Sequence, residues 1–125
     1  MTKSIMIVDD SPDILHLHGA MLELRGYRVL KAPNGASALQ MLKDSSPDLF
    51  ILDIMMPEIN GIELCQQIRA LPQHEHTPVI FLSAYSDTET VEKIFAAGAN
   101  DFVIKPIDAQ RLQAKVNELL GSTEA

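Results

Sequence analysis

The sequence predicts an α/β domain in which one parallel sheet of five strands is covered by helices on both faces. Five short apolar runs recur along the 125 residues, and each is followed by a longer segment whose apolar residues have helical spacing. Four of these runs are almost continuously apolar, which is typical of strands covered on both faces. Strands that alternate with crossover helices build parallel sheets through right-handed connections. A closed barrel of eight such units is excluded by the length of the chain.

The five predicted strands occupy residues 5–8, 27–30, 49–52, 79–82 and 102–104. The second run is more polar than the others, and we therefore place it at an edge of the sheet. An edge position for the second strand favours the order 2-1-3-4-5, which is the doubly wound, flavodoxin-like (βα)5 arrangement.

The helices between the strands are predicted from apolar spacing and from residues typical of helix ends. Ser11 is a candidate N-cap, Pro12 suits the first helical position, and Gly26 is a candidate C-terminal stop. Asp108 is a candidate N-cap for the last helix, and residues 36–43 form the second. The first helix carries an apolar stripe made of Ile14, Leu17, Met21 and Leu24. The last three helices are marked by Ile62, Cys65 and Ile68, by Val91, Ile94 and Phe95, and by Leu112, Val116, Leu119 and Leu120.

The composition excludes several classes of function. A net charge of −7 and a pI of about 4.9 leave no basic footprint for nucleic acid or for an anionic membrane. The single Cys65 excludes an internal disulfide and fits a reducing compartment. The first apolar run is too short for a signal peptide or a membrane span. We expect a cytoplasmic protein with a single domain over 1–125, its core at about 4–120 and a tail at 121–125.

Charged and polar side chains follow four neighbouring strands of the predicted sheet. The first strand leads into Asp9 and Asp10, the third into Asp53, the fourth into Ser83 and the fifth into Lys105. Because ligands bind at the carboxyl ends of the strands in open parallel sheets, these side chains are expected to share one edge.

Phosphoryl chemistry fits this set of side chains. Clustered carboxylates repel one another, and a hard cation such as Mg²⁺ relieves that repulsion through oxygen ligands. The ammonium of Lys105 and the hydroxyl of Ser83 suit the oxygens of a transferring phosphoryl group. A carboxylate can itself act as the nucleophile, and the central Asp53 is best placed for that role.

Five stretches of the chain, in order, resemble the receiver domain of two-component response regulators over essentially its whole length. Each stretch alone is weak, but five in the right order are highly specific. They are residues 7–12 (IVDDSP), 48–57 (DLFILDIMMP), 60–64 (NGIEL), 82–84 (LSA) and 98–106 (GANDFVIKP).

The resemblance implies specific roles at the predicted metal and phosphate site. Asp53 corresponds to the phosphoacceptor, and Asp10 to a direct Mg²⁺ ligand. Asp9 corresponds to the carboxylate that holds a metal-bound water, and the main-chain carbonyl of Met55 to a further ligand.

The resemblance also implies a phosphate contact and a switch. Ser83 is expected to hydrogen-bond the phosphoryl group, Lys105 to pair with it, and the bond to Pro106 to be cis. Phe102 occupies the position of the family's switch aromatic, where Tyr is commoner, so any switch here operates through ring packing. Met55 and Tyr85 occupy the variable positions beside the site, and their bulk predicts a long-lived phosphoform.

The function expected from the resemblance is a phosphoacceptor receiver that is not an enzyme acting on a separate substrate. The expected partners are a sensor histidine kinase or phosphotransfer protein and a downstream effector or linked output domain. Phosphorylation is expected to change the helix-strand-helix face that contains 91–95, Phe102 and 112–120, through which a homodimer is possible. We expect no binding of this domain to nucleic acid or membrane. The chain is either a stand-alone receiver or part of a longer regulator.

Three other functions fit the sequence less well than this one. A phosphatase of the haloacid-dehalogenase type needs a second acid two residues after the nucleophile, where this chain has Met55. A flavodoxin-like FMN carrier needs a phosphate loop after the first strand, where Asp9 and Asp10 would repel a phosphate without metal. A pseudo-receiver usually lacks an acid, the phosphoacceptor or the lysine, all of which are present here.

The remaining histidines and the cysteine have simpler interpretations. The segment from His74 to His76 is predicted to be a solvated loop without a metal. His16 and His18 cannot share one face of the first helix, and neither is predicted to be catalytic. Cys65 is predicted to be inert core.

Overall fold

The computed structural model describes residues 2–121, so the predicted tail lies outside the described residues except for Gly121. The described strands are β1 (Ser4–Val8), β2 (Arg28–Ala32), β3 (Leu49–Asp53), β4 (Val79–Ser83) and β5 (Asp101–Ile104). The described helices are α1 (Pro12–Leu24), α2 (Gly35–Met41), α3 (Gly61–Arg69), α4 (Thr88–Ala96) and α5 (Ala109–Leu120), with a 3-10 turn at Pro72–His74.

The strands form one parallel sheet in the order β2-β1-β3-β4-β5, which confirms the predicted fold class and strand order. The register aligns the carboxyl ends of four strands. Val8 lies opposite Leu52, and Asp53 lies opposite Leu82. Ser83 lies opposite Ile104 at the end of β5. The residues that follow these four strands therefore meet at one edge of the sheet.

The core has two layers because successive side chains of a strand point to opposite faces of the sheet. On one face, Met6, Phe50 and Phe81 pack with buried residues of α2, α3 and α4. On the other face, Ile7 and Ile51 pack with buried residues of α1 and α5. The five residues of β3 and the five of β4 are all buried, as their continuous apolar runs predict.

The predicted helix ends are confirmed. The Oγ of Ser11 accepts a hydrogen bond from the backbone N–H of Ile14 at 3.3 Å, and Pro12 opens α1. Gly26 follows the end of α1 with a φ of 95°, a conformation that favours glycine. The carboxylate of Asp108 accepts from two backbone N–H groups at the start of α5.

The apolar stripe predicted on α1 packs on the core only in part, through Met21. Leu17 is 61% exposed and Leu24 is 88% exposed. The buried residues of α1 are Leu15, His18, Gly19 and Leu22. The helix therefore buries a face that includes His18 and Gly19, while Leu17 and Leu24 of the predicted stripe remain in contact with water.

Element ends differ from the predictions by a few residues. β2 begins at Arg28 and continues to Ala32, and α2 ends at Met41. β3 extends one residue beyond the predicted apolar run and ends at Asp53.

The prediction of a solvated loop at residues 74–76 is wrong for His74 and correct for its two neighbours. Glu75 and His76 are exposed, but the side chain of His74 is buried. Its ring lies edge-on to Phe50, with the centroids 5.0 Å apart, and its Nδ1 is 2.8 Å from the hydroxyl of Thr77. The loop therefore contributes an aromatic ring to the core, which its polar sequence does not indicate.

No helix within residues 2–121 combines the length and the apolar character needed to cross a membrane.

Candidate functional site

Three carboxylates meet at the carboxyl edge of the sheet. Asp9 and Asp10 follow β1, and Asp53 ends the neighbouring strand β3. One carboxylate oxygen from each of the three residues lies within 4.8 Å of those of the other two. The cluster predicted from strand ends is therefore present in the structure.

Burial makes the ionised form of the Asp9 carboxylate unfavourable. Its Oδ1 accepts a hydrogen bond from the backbone N–H of Ser11 at 2.9 Å. Its Oδ2 is buried and has no hydrogen-bond partner among the described residues. Burial, together with the nearby charge of Asp53, raises the pKa of Asp9 to about 6. A buried carboxylate oxygen without a partner is costly unless a cation or a donor reaches it.

Lys105 forms an ion pair with Asp53. Its Nζ lies 2.8 Å from Oδ1 of Asp53, whose side chain is only 3% exposed. The backbone N–H of Lys105 donates to the carbonyl of Ser83 at 2.7 Å, which fixes the end of β5 beside β4. The peptide bond from Lys105 to Pro106 is cis, as the family resemblance implies.

Ser83 lies at the end of β4, buried, with its hydroxyl hydrogen-bonded to its own loop. The Oγ donates to the backbone carbonyl of Tyr85 at 2.7 Å and accepts from the backbone N–H of Tyr85 at 3.0 Å. The strand register brings Ser83 to the same edge as Asp53. A contact from this hydroxyl to a phosphoryl group therefore requires the bond to Tyr85 to be exchanged.

The loop after β3 folds back beneath Asp53. The backbone N–H of Gly61 donates to the carbonyl of Ile54 at 2.9 Å, and Asn60 with Glu63 forms a capping box at the start of α3. A Cβ at Gly61 would overlap the carbonyl oxygen of Asp53. The sequence did not indicate that the end of β3 needs a glycine at position 61 for this close approach.

The switch position predicted at Phe102 is half-buried, and its ring lies edge-on to Phe95 of α4. The ring centroids are 6.1 Å apart at an interplanar angle of 74°. Phe95 is partly exposed to solvent, so this ring pair connects β5 with the surface of α4. Sequence reasoning placed both residues on this face and did not predict their contact.

The donor set fits a hard divalent cation. All of the clustered ligand atoms are carboxylate oxygens, and Asp10 is exposed at the edge, which leaves a path from solvent. Mg²⁺ prefers a few carboxylates and retains waters in its shell. Burial raises the pKa of Asp9 most, and the charge of Asp53 adds to this; a cation would offset both effects by stabilising the ionised carboxylate. The buried Oδ2 of Asp9, unpartnered within residues 2–121, is the observation that most directly favours such a group.

Comparison with known proteins identifies the family. Residues 5–117 match the response regulator receiver domain model, and the chain belongs to that family. It is 43% identical over 116 residues to the uncharacterized transcriptional regulatory protein YrkP of Bacillus subtilis, covering 93% of this chain and 48% of that protein. It is 38% identical over 112 residues to the signal transduction histidine-protein kinase BarA of Escherichia coli, covering 90% of this chain and 12% of the kinase.

Solved structures agree with the family assignment. The chemotaxis protein CheY4 of Vibrio cholerae superimposes with a TM-score of 0.92 at 27% identity, over 95% of this chain and 99% of that one. These similarities confirm the predicted receiver role in a two-component phosphorelay. The chain spans about half the length of the Bacillus regulator and a small part of the kinase.

Proposed function

We propose that this receiver accepts a phosphoryl group on Asp53 from a phosphohistidine donor. The observation that carries the proposal is the placement of a nearly buried carboxylate between two other acids and a lysine. Lys105 engages Oδ1 of Asp53, so we assign Oδ2 as the attacking oxygen. A bond forms between that oxygen and phosphorus as the phosphorus–nitrogen bond of the donor breaks, and the histidine nitrogen that leaves takes a proton from solvent.

The neighbouring groups have distinct roles in this proposal. Lys105 pairs with the phosphoryl oxygens, where its charge stabilises the transferring group. The hydroxyl of Ser83 exchanges its bond to Tyr85 for one to the phosphoryl group. Asp10 and Asp53, with the carbonyl of Met55, would hold Mg²⁺ directly, and Asp9 would hold it through water. The ion would supply positive charge that offsets the charge of the carboxylates and the phosphoryl oxygens.

The donor is a sensor histidine kinase or a phosphotransfer protein that docks on α1. This helix begins two residues after Asp10 and exposes Leu17 and Leu24 on one side, seven positions apart. Positions seven apart lie on the same face of a helix. An exposed apolar face on the helix that leads from the site is suited to covering by a partner.

The output passes through the face formed by α4, β5 and α5, where Phe102 contacts Phe95. Phosphorylation of Asp53 adds charge and acceptor oxygens at the carboxyl ends of β4 and β5. This change biases the packing of the Phe102 ring. The reader of this face is a downstream effector, a linked output domain or a second copy of the chain. We propose no direct contact with nucleic acid, a cytoplasmic location, a single domain over 1–125, and no turnover of a separate substrate.

The experiment combines a small phosphodonor with intact-mass measurement. The protein is incubated with acetyl phosphate and MgCl₂, and parallel samples contain EDTA or the variant Asp53→Asn. We expect one phosphoryl group on the parent with Mg²⁺ and none on the variant or with EDTA. A parent that stays unmodified with acetyl phosphate and also with a phosphorylated kinase contradicts the proposal. Equal modification of the variant contradicts the assignment of Asp53.

A further inference from the structure

A cleft of about 310 Å³ lies between the loops that follow β3 and β4, with α3 and α4 on either side. Its walls include the apolar side chains of Ile54, Met55, Ile62 and Tyr85, and Lys93 of α4 also lines it. None of the three clustered carboxylates lines the cleft, but Ser83 does, and it ends β4 at the sheet edge where they lie.

The walls of the cleft expose large apolar side chains to water. Met55 is 64% exposed and Tyr85 is 58% exposed. Burying such side chains is favourable in proportion to the apolar area removed from water. A concave, mostly apolar site with a few polar groups is the usual form of a binding pocket. The volume suits one or two side chains and is too small for a whole helix or domain.

Lys93 is the charged group among the residues that line this cleft in the described part of the chain. Its ion pair with Glu89 is 3.6 Å long and both side chains are largely exposed, so the pair holds the ammonium weakly. The domain carries a net charge of −7, which makes a cation beside an apolar cleft unusual on this surface. A carboxylate on the occupant complements this charge.

We propose that the cleft docks a segment of a protein partner that presents a large apolar side chain next to a carboxylate. The apolar side chain fills the space between Met55, Ile62 and Tyr85, and the carboxylate pairs with Lys93. This surface lies on the α3 and α4 side of the phosphoryl site, away from α1.

The hydrogen bonds of Ser83 connect this cleft to the phosphorylation state, an inference that depends on the proposed function. A serine hydroxyl has one proton to donate, and here it is donated to the carbonyl of Tyr85. If Ser83 donates to a phosphoryl group on Asp53, that bond is lost, and Tyr85 is held by only one of its two hydrogen bonds to Ser83. The docked segment therefore prefers the unphosphorylated form, and by linkage it opposes phosphorylation at equilibrium.

The test is an NMR titration of the full ¹⁵N-labelled chain with the probe peptide acetyl-Glu-Leu-Phe-Glu-amide. We expect amide shifts concentrated at Met55, Ile62, Tyr85 and Lys93. The exposed stripe of α1 is an internal control, because non-specific apolar binding perturbs Leu17 and Leu24 as well. Shifts confined to α1, or spread over both surfaces, overturn the proposal. So does the absence of any shift.

Matched variants test the charge. Lys93→Glu is expected to weaken binding of the acidic probe about three- to five-fold. The variant should also bind a probe with Lys in place of Glu more tightly than the acidic probe, whereas the parent binds the acidic probe more tightly. Lys43→Glu, which makes the same exposed charge change away from the cleft, is expected to leave binding unchanged. Equal loss in both variants contradicts a specific role for Lys93.

The phosphorylated sample separates docking from its coupling. Addition of acetyl phosphate and MgCl₂ is expected to release the probe from the parent and to have no effect on Asp53→Asn. Retention of the probe by a fully phosphorylated parent overturns the coupling and leaves docking intact. If the chain is not phosphorylated at all, the proposed function has failed, while the titration of the untreated protein still decides whether the cleft binds.

Discussion

Replacing Asp9 with Asn removes one charge from the carboxylate cluster and keeps the local hydrogen bond. The Oδ1 atom of Asn can still accept the hydrogen bond that Asp9 accepts from the backbone N–H of Ser11 at 2.9 Å. The buried Oδ2 of Asp9, which has no partner within the described chain, becomes an uncharged amide. Without metal, Asp9→Asn is therefore expected to stabilise the protein, although Asp9 belongs to its proposed site.

The size of the effect follows from the pKa of Asp9. A rise from 3.8 to about 6 corresponds to about 3 kcal/mol of unfavourable free energy for the ionised carboxylate at neutral pH. Because Asp10 is exposed and water screens the cluster, we expect a gain of about 1–3 kcal/mol in the free energy of unfolding. For a chain of this length, that raises the Tm by about 4–10 °C.

The sign of the pH dependence follows from the same raised pKa. The folded state binds a proton on Asp9 more readily than the unfolded state, so this contribution to stability is fully present below pH 3.8 and is lost as the pH rises through about 6. The advantage of the Asn variant should therefore grow between these values and level off above them.

The assay is thermal unfolding followed by circular dichroism, in EDTA and in excess MgCl₂. The exposed Asp13→Asn is the matched control. In EDTA, the Tm of Asp9→Asn should be higher than that of the parent. In MgCl₂, the parent should gain more stability than the variant, because ligands stabilise the state that binds them. An Asp9→Asn variant that melts at or below the parent in EDTA refutes this electrostatic account.

Three further predictions concern stability. Burial lowers the pKa of His74, so the stability of the protein should fall as the pH drops below about 6.5. In the Asp9→Asn background, His74→Gln should therefore reduce the dependence of the urea midpoint on pH. An unchanged pH dependence contradicts this. Glu58 is exposed with a φ of 66°, so Glu58→Gly should raise the free energy of unfolding by about 1 kcal/mol, and a loss of stability would show that the residue is unstrained. Arg69 donates to the carbonyls of His74, Thr77 and Gly98, so Arg69→Lys should lower the free energy of unfolding in urea by about 2–3 kcal/mol. A loss below about 1 kcal/mol, the size of one hydrogen bond, contradicts this role of Arg69.

The sheet could be predicted from sequence because its strands are buried on both faces. In β3 and β4 every residue must be compatible with a dry environment, so the apolar runs mark the strands closely. In the edge strand β2 only Ala32 is fully buried and the other four residues are exposed or half-buried, so its apolar run marks the strand less clearly. Strand order followed from that same difference in polarity.

The packing face of α1 could not be predicted from its apolar spacing. This helix has two candidate faces, and the one with more large apolar residues is the less buried, since Leu17 and Leu24 are exposed. The buried face includes Gly19 and His18, neither of which is a large apolar residue, beside Leu15 and Leu22. Counting large apolar residues therefore does not detect this face.

The site was predictable where the topology alone brings residues together, as for Asp9, Asp53 and Lys105. What sequence could not supply is the state of individual atoms. The missing partner of Asp9 Oδ2 and the bond from Ser83 to Tyr85 depend on burial and loop geometry. These atomic details are the basis of the stability prediction for Asp9 and of the proposed cleft coupling.

Reductive trapping of the phosphorylated residue tests the central claim most directly. The protein is treated with acetyl phosphate and MgCl₂, reduced with borohydride, digested and sequenced by mass spectrometry. Borohydride reduces an aspartyl phosphate to homoserine and leaves free carboxylates intact. We predict homoserine at Asp53 and unmodified aspartate at Asp9 and Asp10. Homoserine at Asp9 or Asp10, or phosphorylation without any reducible aspartate, would contradict the assignment of Asp53 as the phosphoacceptor.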